Sequence, residues 1–366
     1  MKHKHLILTI LVVVLALALA ACAGAEGPQG ETGPAGPAGP EGPAGPPGED
    51  GADGADGVDG ADGAAGEGGA MMAADLTCTE CHDDTALITG KKAPWESSVH
   101  GSGTAAAYAG GRDGCTGCHS GASFSKMVAA GQTPETYEGD AADVTHQDCR
   151  TCHQVHVSYT GADWALETTD AVPMYAFEDV TYDGGGGNLC ANCHQIRRQI
   201  DEADADGNIE VTSTHWGPHH GPQGAILLGL AGAGDEAEGS PGAHYSMVED
   251  TCVACHLGES DNHTFLPDVG ACLGCHADIE DFDFSGLQTE VAEKLAVLEE
   301  ALTAKGLWEV TEEGEAHPVV GVYPAAEAQA LWNYITLAVE DGSHGVHNPA
   351  YTKALLDWSL AAMGAE

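Results

Sequence analysis

The chain has 366 residues, 57 of them acidic and 12 basic, for a formal net charge of −45. Such a surface repels nucleic acid and anionic lipid over a Debye length, which excludes both, and suits cationic proteins, metal ions or a salty medium. Aromatic residues are only 5% while Gly fills 51 positions, so a side-chain core would be thin and something else must supply buried apolar surface.

In chain order, residues 1–21 read as a targeting segment. Lys2 and Lys4 make a basic start, and Leu6 to Ala20 is a stretch of 15 residues, apolar but for Thr9. A transmembrane helix needs roughly 20. The stretch ends in Leu19-Ala20-Ala21-Cys22, which resembles the lipobox of bacterial lipoproteins. The resemblance implies cleavage before Cys22, lipidation of its thiol and a protein exported and anchored at the outer membrane or cell surface. An ordinary signal peptide with an incidental Cys is the alternative. No other segment is apolar enough to span a bilayer.

Residues 22–70 form the second region. Gly recurs at every third position from Gly24 to Gly69, sixteen times without a break, Pro-rich at first and then acidic. Only Gly fits the axis of three packed polyproline II strands, so this period predicts a collagen-like stalk and a homotrimer held through it. At about 3 Å per residue the stalk would reach about 140 Å. The competing reading is a single-stranded spacer, because ten acidic residues and no basic one would repel within a trimer.

From 71 to 285 the chain is dense in Cys, His, Gly and Asp, with few periodic stretches. From 286 to 366 it changes character. Leu287, Val291, Leu295, Leu298 and Leu302 mark one helical stripe, and Leu331, Trp332, Ile335 and Val339 mark the inner face of a second helix over 325–340. A third opens with Asn348 as cap and Pro349 at its first position, and carries Leu355, Leu356 and Leu360.

Six Cys-x-x-Cys-His motifs use twelve of the 13 cysteines, the other being Cys22. The pairs are Cys78/Cys81, Cys115/Cys118, Cys149/Cys152, Cys190/Cys193, Cys252/Cys255 and Cys272/Cys275. The histidines are His82, His119, His153, His194, His256 and His276. Two thiols one turn apart suit thioether bonds to the vinyl groups of one porphyrin, and the adjacent His suits its iron as proximal ligand. Zinc and disulfides also use Cys-x-x-Cys, but neither requires a His after each second Cys. The pattern predicts six covalently bound haem c groups, which would also supply the missing core.

Eleven histidines lie outside the motifs of the mature chain: 100, 146, 156, 215, 219, 220, 244, 263, 317, 344 and 347. Six would give every iron a second imidazole and close it to substrate. Here the sequence resembles the multihaem c-type cytochromes related to pentahaem nitrite reductases and octahaem cytochromes. The resemblance rests on Trp95-x-x-Ser98-x-His100, Cys149-x-x-Cys152-His153-x-x-His156, Gly217-Pro218-His219-His220-Gly221-Pro222-Gln223, His263-Thr264-Phe265 and Gly345-x-His347-Asn348-Pro349. It implies a mainly α fold with extensive coil wrapped around stacked haems, and distal ligands among His100, His156, His219, His244, His263 and His347. His220 could stand for His219, and His344 for His347. Nitrite reductases keep a Lys in one motif where all six here have His, which puts such an active site in doubt.

Glu202, Asp204, Asp206, Gly207, Asn208 and Glu210 match the first part of a calcium loop, but Ser213 stands at the twelfth position instead of Glu. A calcium site near Glu202, Asp204 and Asp206 and a solvated acidic loop are both open readings. The expected function is electron transfer between redox partner proteins and a terminal acceptor outside the cytoplasm. The alternatives are a multihaem reductase of nitrogen or sulfur oxyanions and a haem-storing or adhesive surface protein.

Overall fold

A computed structural model describes residues 86–134, 136–137, 139, 144–219, 221–258, 262–311 and 314–365. The leader, Cys22, the Gly repeat, the first motif (Cys78, Cys81 and His82) and His220 lie outside the described residues. The described residues belong to the compact unit Glu67–Glu366 and are partly helical with much coil.

Up to about residue 280, single helical turns alternate with loops, in keeping with the scarcity of periodic stretches. Two longer helices stand in this part, α1 (Ala86–Ser97) and α2 (Gly121–Ala129). Ser120 caps α2 by accepting the amide of Ser123, and the helix buries Phe124 and Met127 in a small cluster with Leu189. Among the described residues these three are the buried apolar members of that cluster, against which Val128, Tyr137, Leu166, Cys152 and Cys193 pack.

The larger core belongs to the C-terminal half. It gathers α3 (Leu287–Ala304), α4 (Ala325–Tyr334) and α5 (Pro349–Met363) against residues of the 172–233 segment. Val291, Leu295, Leu298 and Leu302 are buried along α3 as their spacing predicts, each worth about 1.5–3 kcal/mol relative to exposure. Asn348 caps α5 by accepting the amide of Tyr351 at 3.3 Å, and its own amide group donates to the carbonyls of Ile226 and Ser240. Trp332 donates to Ala231 at 2.8 Å, and Asn333 exchanges two hydrogen bonds with Ala233. The loop after residue 225 is thereby sewn to the helices by side chains whose polar atoms are satisfied in the interior.

The second helix departs from its expected course. After Tyr334 it continues as a π segment, Ile335–Asp341. The i→i+5 bonding of π turns changes the angle between successive side chains, so an α-helical stripe does not carry across it. Val339 is accordingly 53% exposed, not inward-facing, and Asp341 is buried. Among the described residues there are also three two-stranded antiparallel ribbons, built from β1 (Val172–Pro173), β2 (Thr181–Tyr182), β3 (Asn208–Val211), β4 (Trp308–Val310), β5 (Ala316–Pro318) and β6 (Gly321–Pro324). They pair β1 with β2, β3 with β6 and β4 with β5. No helix of the described residues is long and apolar enough to cross a membrane.

Candidate metal centres

Each described cysteine pair sits on one tight helical turn. The histidine amide donates to the carbonyl of the first cysteine, four residues back: His119 to Cys115 at 3.0 Å, and His153 to Cys149, His194 to Cys190 and His276 to Cys272 at 2.9 Å. Cys252–His256 is itself a helical turn. Side chains three apart on such a turn share a face, so both thiols of a motif open to one side. At Cys149 the turn is fixed by a capping box, with Asp148 accepting from Arg150 and Thr151 accepting the amide of Asp148.

Every described motif histidine faces a second histidine. Ring centres are 6.1 Å apart for His194 and His100, 6.2 Å for His153 and His263, and 6.3 Å for His119 and His219, His276 and His244, and His256 and His347. A metal held between two imidazole nitrogens at about 2.0 Å each, with about 1.1 Å from nitrogen to ring centre, requires about 6.2 Å. The five partners are all among the six histidines singled out as distal. The sixth, His156, stacks on Tyr159 with ring centres 5.3 Å apart, and it borders the same cavity as three complete pairs and His256. It is His347 and not His344 that faces His256.

Hydrogen bonds to the outer ring nitrogen orient these imidazoles. Nδ1 of His153 donates to the carbonyl of Trp164 at 2.8 Å, that of His256 to Phe265 at 2.8 Å and that of His244 to Val346 at 2.6 Å. A carbonyl can only accept, so the proton is on Nδ1. Gln223 directs its amide nitrogen to the carbonyl of Glu340 at 2.9 Å, which turns its oxygen to His194 Nδ1 at 3.1 Å. His347 Nδ1 meets Asp341 Oδ1 at 2.6 Å. In each case Nε2 is the nitrogen left to ligate.

A cavity of about 1120 Å³ runs between the second, third, fourth and fifth motifs, walled largely by apolar atoms. Motifs remote in sequence touch along it. Cys118 Sγ lies 3.8 Å from the carbonyl of Asn192, and Cys252 Sγ lies 4.0 Å from that of Gly187, just ahead of Cys190. Burial, then the neighbouring Cys149, pushes the Cys152 thiol up to about 12. Burial, then the facing His194, brings His100 down to about 4, so its imidazole is neutral at pH 7. Burial opposes charge on His347, and the Asp341 carboxylate outweighs it, holding that ring above its ordinary range.

Some of these parts escaped sequence reasoning. Asp163 takes the amides of His156, Ser158 and Tyr159 and the hydroxyl of Ser158 at 2.5–3.1 Å, clamping a loop in which His156 and Tyr159 have φ of 64° and 55°. The only trace of Asp163 in the sequence is its place after Thr160-Gly161, a common turn pattern. Gln223 acts on His194 from 29 positions along the chain, and Asp341, six residues before His347, belongs to no motif that marks it as a partner. In the acidic loop, Asp204 accepts the amides of Asp206 and Asn208, both at 2.9 Å, and Gly207 has φ 79°. Among the described residues no group of three or more His, Cys, Asp or Glu side chains is gathered to hold a metal ion.

Residues 20–74 match the collagen triple helix repeat family, so this part of the chain is a collagen-like repeat. The chain is also similar to the C-type polyheme cytochrome OmcB of two strains of Geobacter sulfurreducens, at 25% identity over 227 residues. The match covers 53% of this chain and 26% of the relative, so the chain spans about a quarter of that protein's length. Among solved structures it is similar to the outer cell wall cytochrome OcwA, with 22% identity and a TM-score of 0.48 over 75% of this chain and 50% of that one.

Proposed function

We propose that this chain is an exported multihaem c-type cytochrome that conducts electrons along six covalently bound haems to a terminal acceptor outside the cytoplasm. The observation that carries the reading is the set of five histidine pairs at 6.1–6.3 Å, each joining a motif histidine to a histidine outside the motifs. Two imidazoles at this spacing, with two thiols on one helical face beside them, fit an axially ligated haem and do not fit the four-ligand shell of zinc. The relatives' names, which are those of cytochromes, agree.

The residues then divide as follows. Cys115 and Cys118 would hold the haem ligated by His119 and His219, and Cys149 and Cys152 that of His153 and His263. Cys190 and Cys193 go with His194 and His100, Cys252 and Cys255 with His256 and His347, and Cys272 and Cys275 with His276 and His244. His156 remains for Cys78, Cys81 and His82. Each haem, when bound, supplies a one-electron Fe(III)/Fe(II) couple. The chain orients the imidazoles through Nδ1, keeps the porphyrin faces in apolar surroundings and packs the second motif on the fourth and the fourth on the fifth. Two histidines per site leave no position for substrate, which favours conduction over reduction of an oxyanion.

Lipid on Cys22 and a trimeric stalk would set the haem-bearing part away from the membrane, within reach of redox partner proteins. The test is a pyridine haemochrome assay with the oxidised absorption spectrum of matured protein. Six haems per chain, all low-spin, are expected. A colourless protein, zinc in the cysteine pairs, or a haem count well away from six would overturn the reading.

A further inference from the structure

The histidine pairs differ in what holds their outer nitrogen. Nδ1 of His153, His244 and His256 faces a backbone carbonyl, and that of His194 faces an amide oxygen. Of these five hydrogen-bonded rings, only that of His347 is held by a carboxylate, Asp341 Oδ1 at 2.6 Å. The Asp341 side chain is 1% exposed. It is the last residue of the π segment, and the chain then turns back through Gly342 at φ 64° and His344 at φ 50° to bring His347 onto it. Its second oxygen accepts the Ser343 hydroxyl at 2.5 Å and the Ser343 amide at 3.2 Å. The arrangement fixes one oxygen on the ring and the other on the turn, so the pair has a single geometry.

Resting on the haem reading, we propose that Asp341 is a positioning residue that tunes the His256/His347 site, giving its iron the lowest reduction potential among the sites whose Nδ1 partners are known. A carboxylate accepting from Nδ1–H draws the ring proton toward itself and gives the imidazole anionic character. A more electron-rich axial ligand stabilises ferric over ferrous iron, and outer hydrogen bonds of this kind are a recognised lever on a metal centre. A neutral carbonyl exerts the same pull more weakly. Burial of the carboxylate strengthens it further, because little water competes for the charge. Ser343 works in the opposite sense, since its two donors spread the negative charge that Asp341 would otherwise direct at the ring. An electron on this site therefore moves downhill to its neighbours, among them the site of His194, whose motif packs beside Cys252.

The experiment is a spectroelectrochemical titration of the full haem-loaded chain in three forms: unaltered, Asp341→Asn and Ser343→Ala. In Asp341→Asn one component of the curve is expected to rise by about tenfold in its reduction equilibrium, about 59 mV for a one-electron couple. In Ser343→Ala the same component is expected to fall, and both variants stay low-spin. Destabilisation alone does not produce shifts of opposite sign on one component. The proposal is overturned if neither variant moves a component, if both move it the same way, or if Asp341→Asn develops a high-spin fraction, which would make Asp341 a structural clamp only. Should Asp341→Asn fail to mature, Ser343→Ala decides alone, a downward shift supporting the proposal and an unchanged curve overturning it. Failure of the underlying reading is distinct, because it appears as missing haem in the haemochrome assay before any potential is measured.

Discussion

His156 and His219 hold φ of 64° and 68°, a region that costs a side-chain-bearing residue about 1–2 kcal/mol. Residues kept there against that cost cluster at functional sites, where the surroundings hold them in place. For His156 the holding group is Asp163, which accepts its amide at 2.8 Å. If His219 ligates the iron of His119, then His219→Ala should leave the haem count intact, since Cys115 and Cys118 still bind the porphyrin. One haem in six should turn from low-spin to high-spin, read by absorption or electron paramagnetic resonance of the oxidised protein. An unchanged spectrum would remove His219 from that role. The cysteines and their adjacent histidines are legible because the chemistry demands fixed spacing. The histidines that face them are legible only as a set, and which faces which depends on contacts between residues up to about a hundred positions apart. Asp163 and Asp341 are two acids among 57, and nothing near them in sequence distinguishes them.

At the scale of elements, the stretch from Glu340 to His347 does more than cap the C-terminal helices. The carbonyl of Glu340 sets Gln223 on His194, Asp341 holds His347, and the carbonyl of Val346 takes His244 Nδ1. Three sites are thus braced from one turn, and the packing of α3 and α5 against α4 holds that turn still. Leu298 is fully buried in this packing, so Leu298→Ala should lower the unfolding free energy by about 2–5 kcal/mol, measured by denaturant titration. A second prediction concerns the entrance to α3, where Thr289 donates its hydroxyl to Asp283 at 2.6 Å and its amide at 3.1 Å. These bonds, the hydroxyl first, hold the Asp283 carboxyl below its ordinary range. A lowered carboxylate stabilises the fold above its unfolded pKa of about 3.9 and loses that contribution as pH falls through the lower folded value. The stability gap between the native chain and Asp283→Ala should therefore be widest above about pH 5 and close on acidification beyond that window. A gap independent of pH would show that the carboxylate's charge plays no part.

For the whole molecule the charge of −45 dominates encounter with other molecules. Electron exchange with a cationic mediator should slow as salt rises from about 20 to 500 mM, and exchange with an anionic one should quicken, because screening acts with opposite sign on attraction and repulsion. Stopped-flow rates at the two salt levels would show it, and identical salt slopes for both mediators would dismiss charge as the steering force. The two halves of the described chain also differ in what fills them. The C-terminal helices close on side chains of the 172–233 segment, whereas the cluster beside the second and third motifs holds three buried apolar residues, Phe124, Met127 and Leu189, next to a cavity of about 1120 Å³. A porphyrin is the kind of body that would complete such an interior.

Composition, spacing and repeat by themselves determined a great deal: the collagen-like period, the cysteine pairs with their histidines, the stripe of α3 and the cap of α5. All of these are local patterns, written within a few turns of chain. The tertiary structure alone decided the pairing of histidines, the π segment that turns Val339 out and buries Asp341, and the loop clamp of Asp163. The ring pairs join positions up to about a hundred residues apart and so leave no period in the sequence, while the clamp and the π segment are short in sequence but arise from hydrogen bonds and packing that no residue pattern spells out.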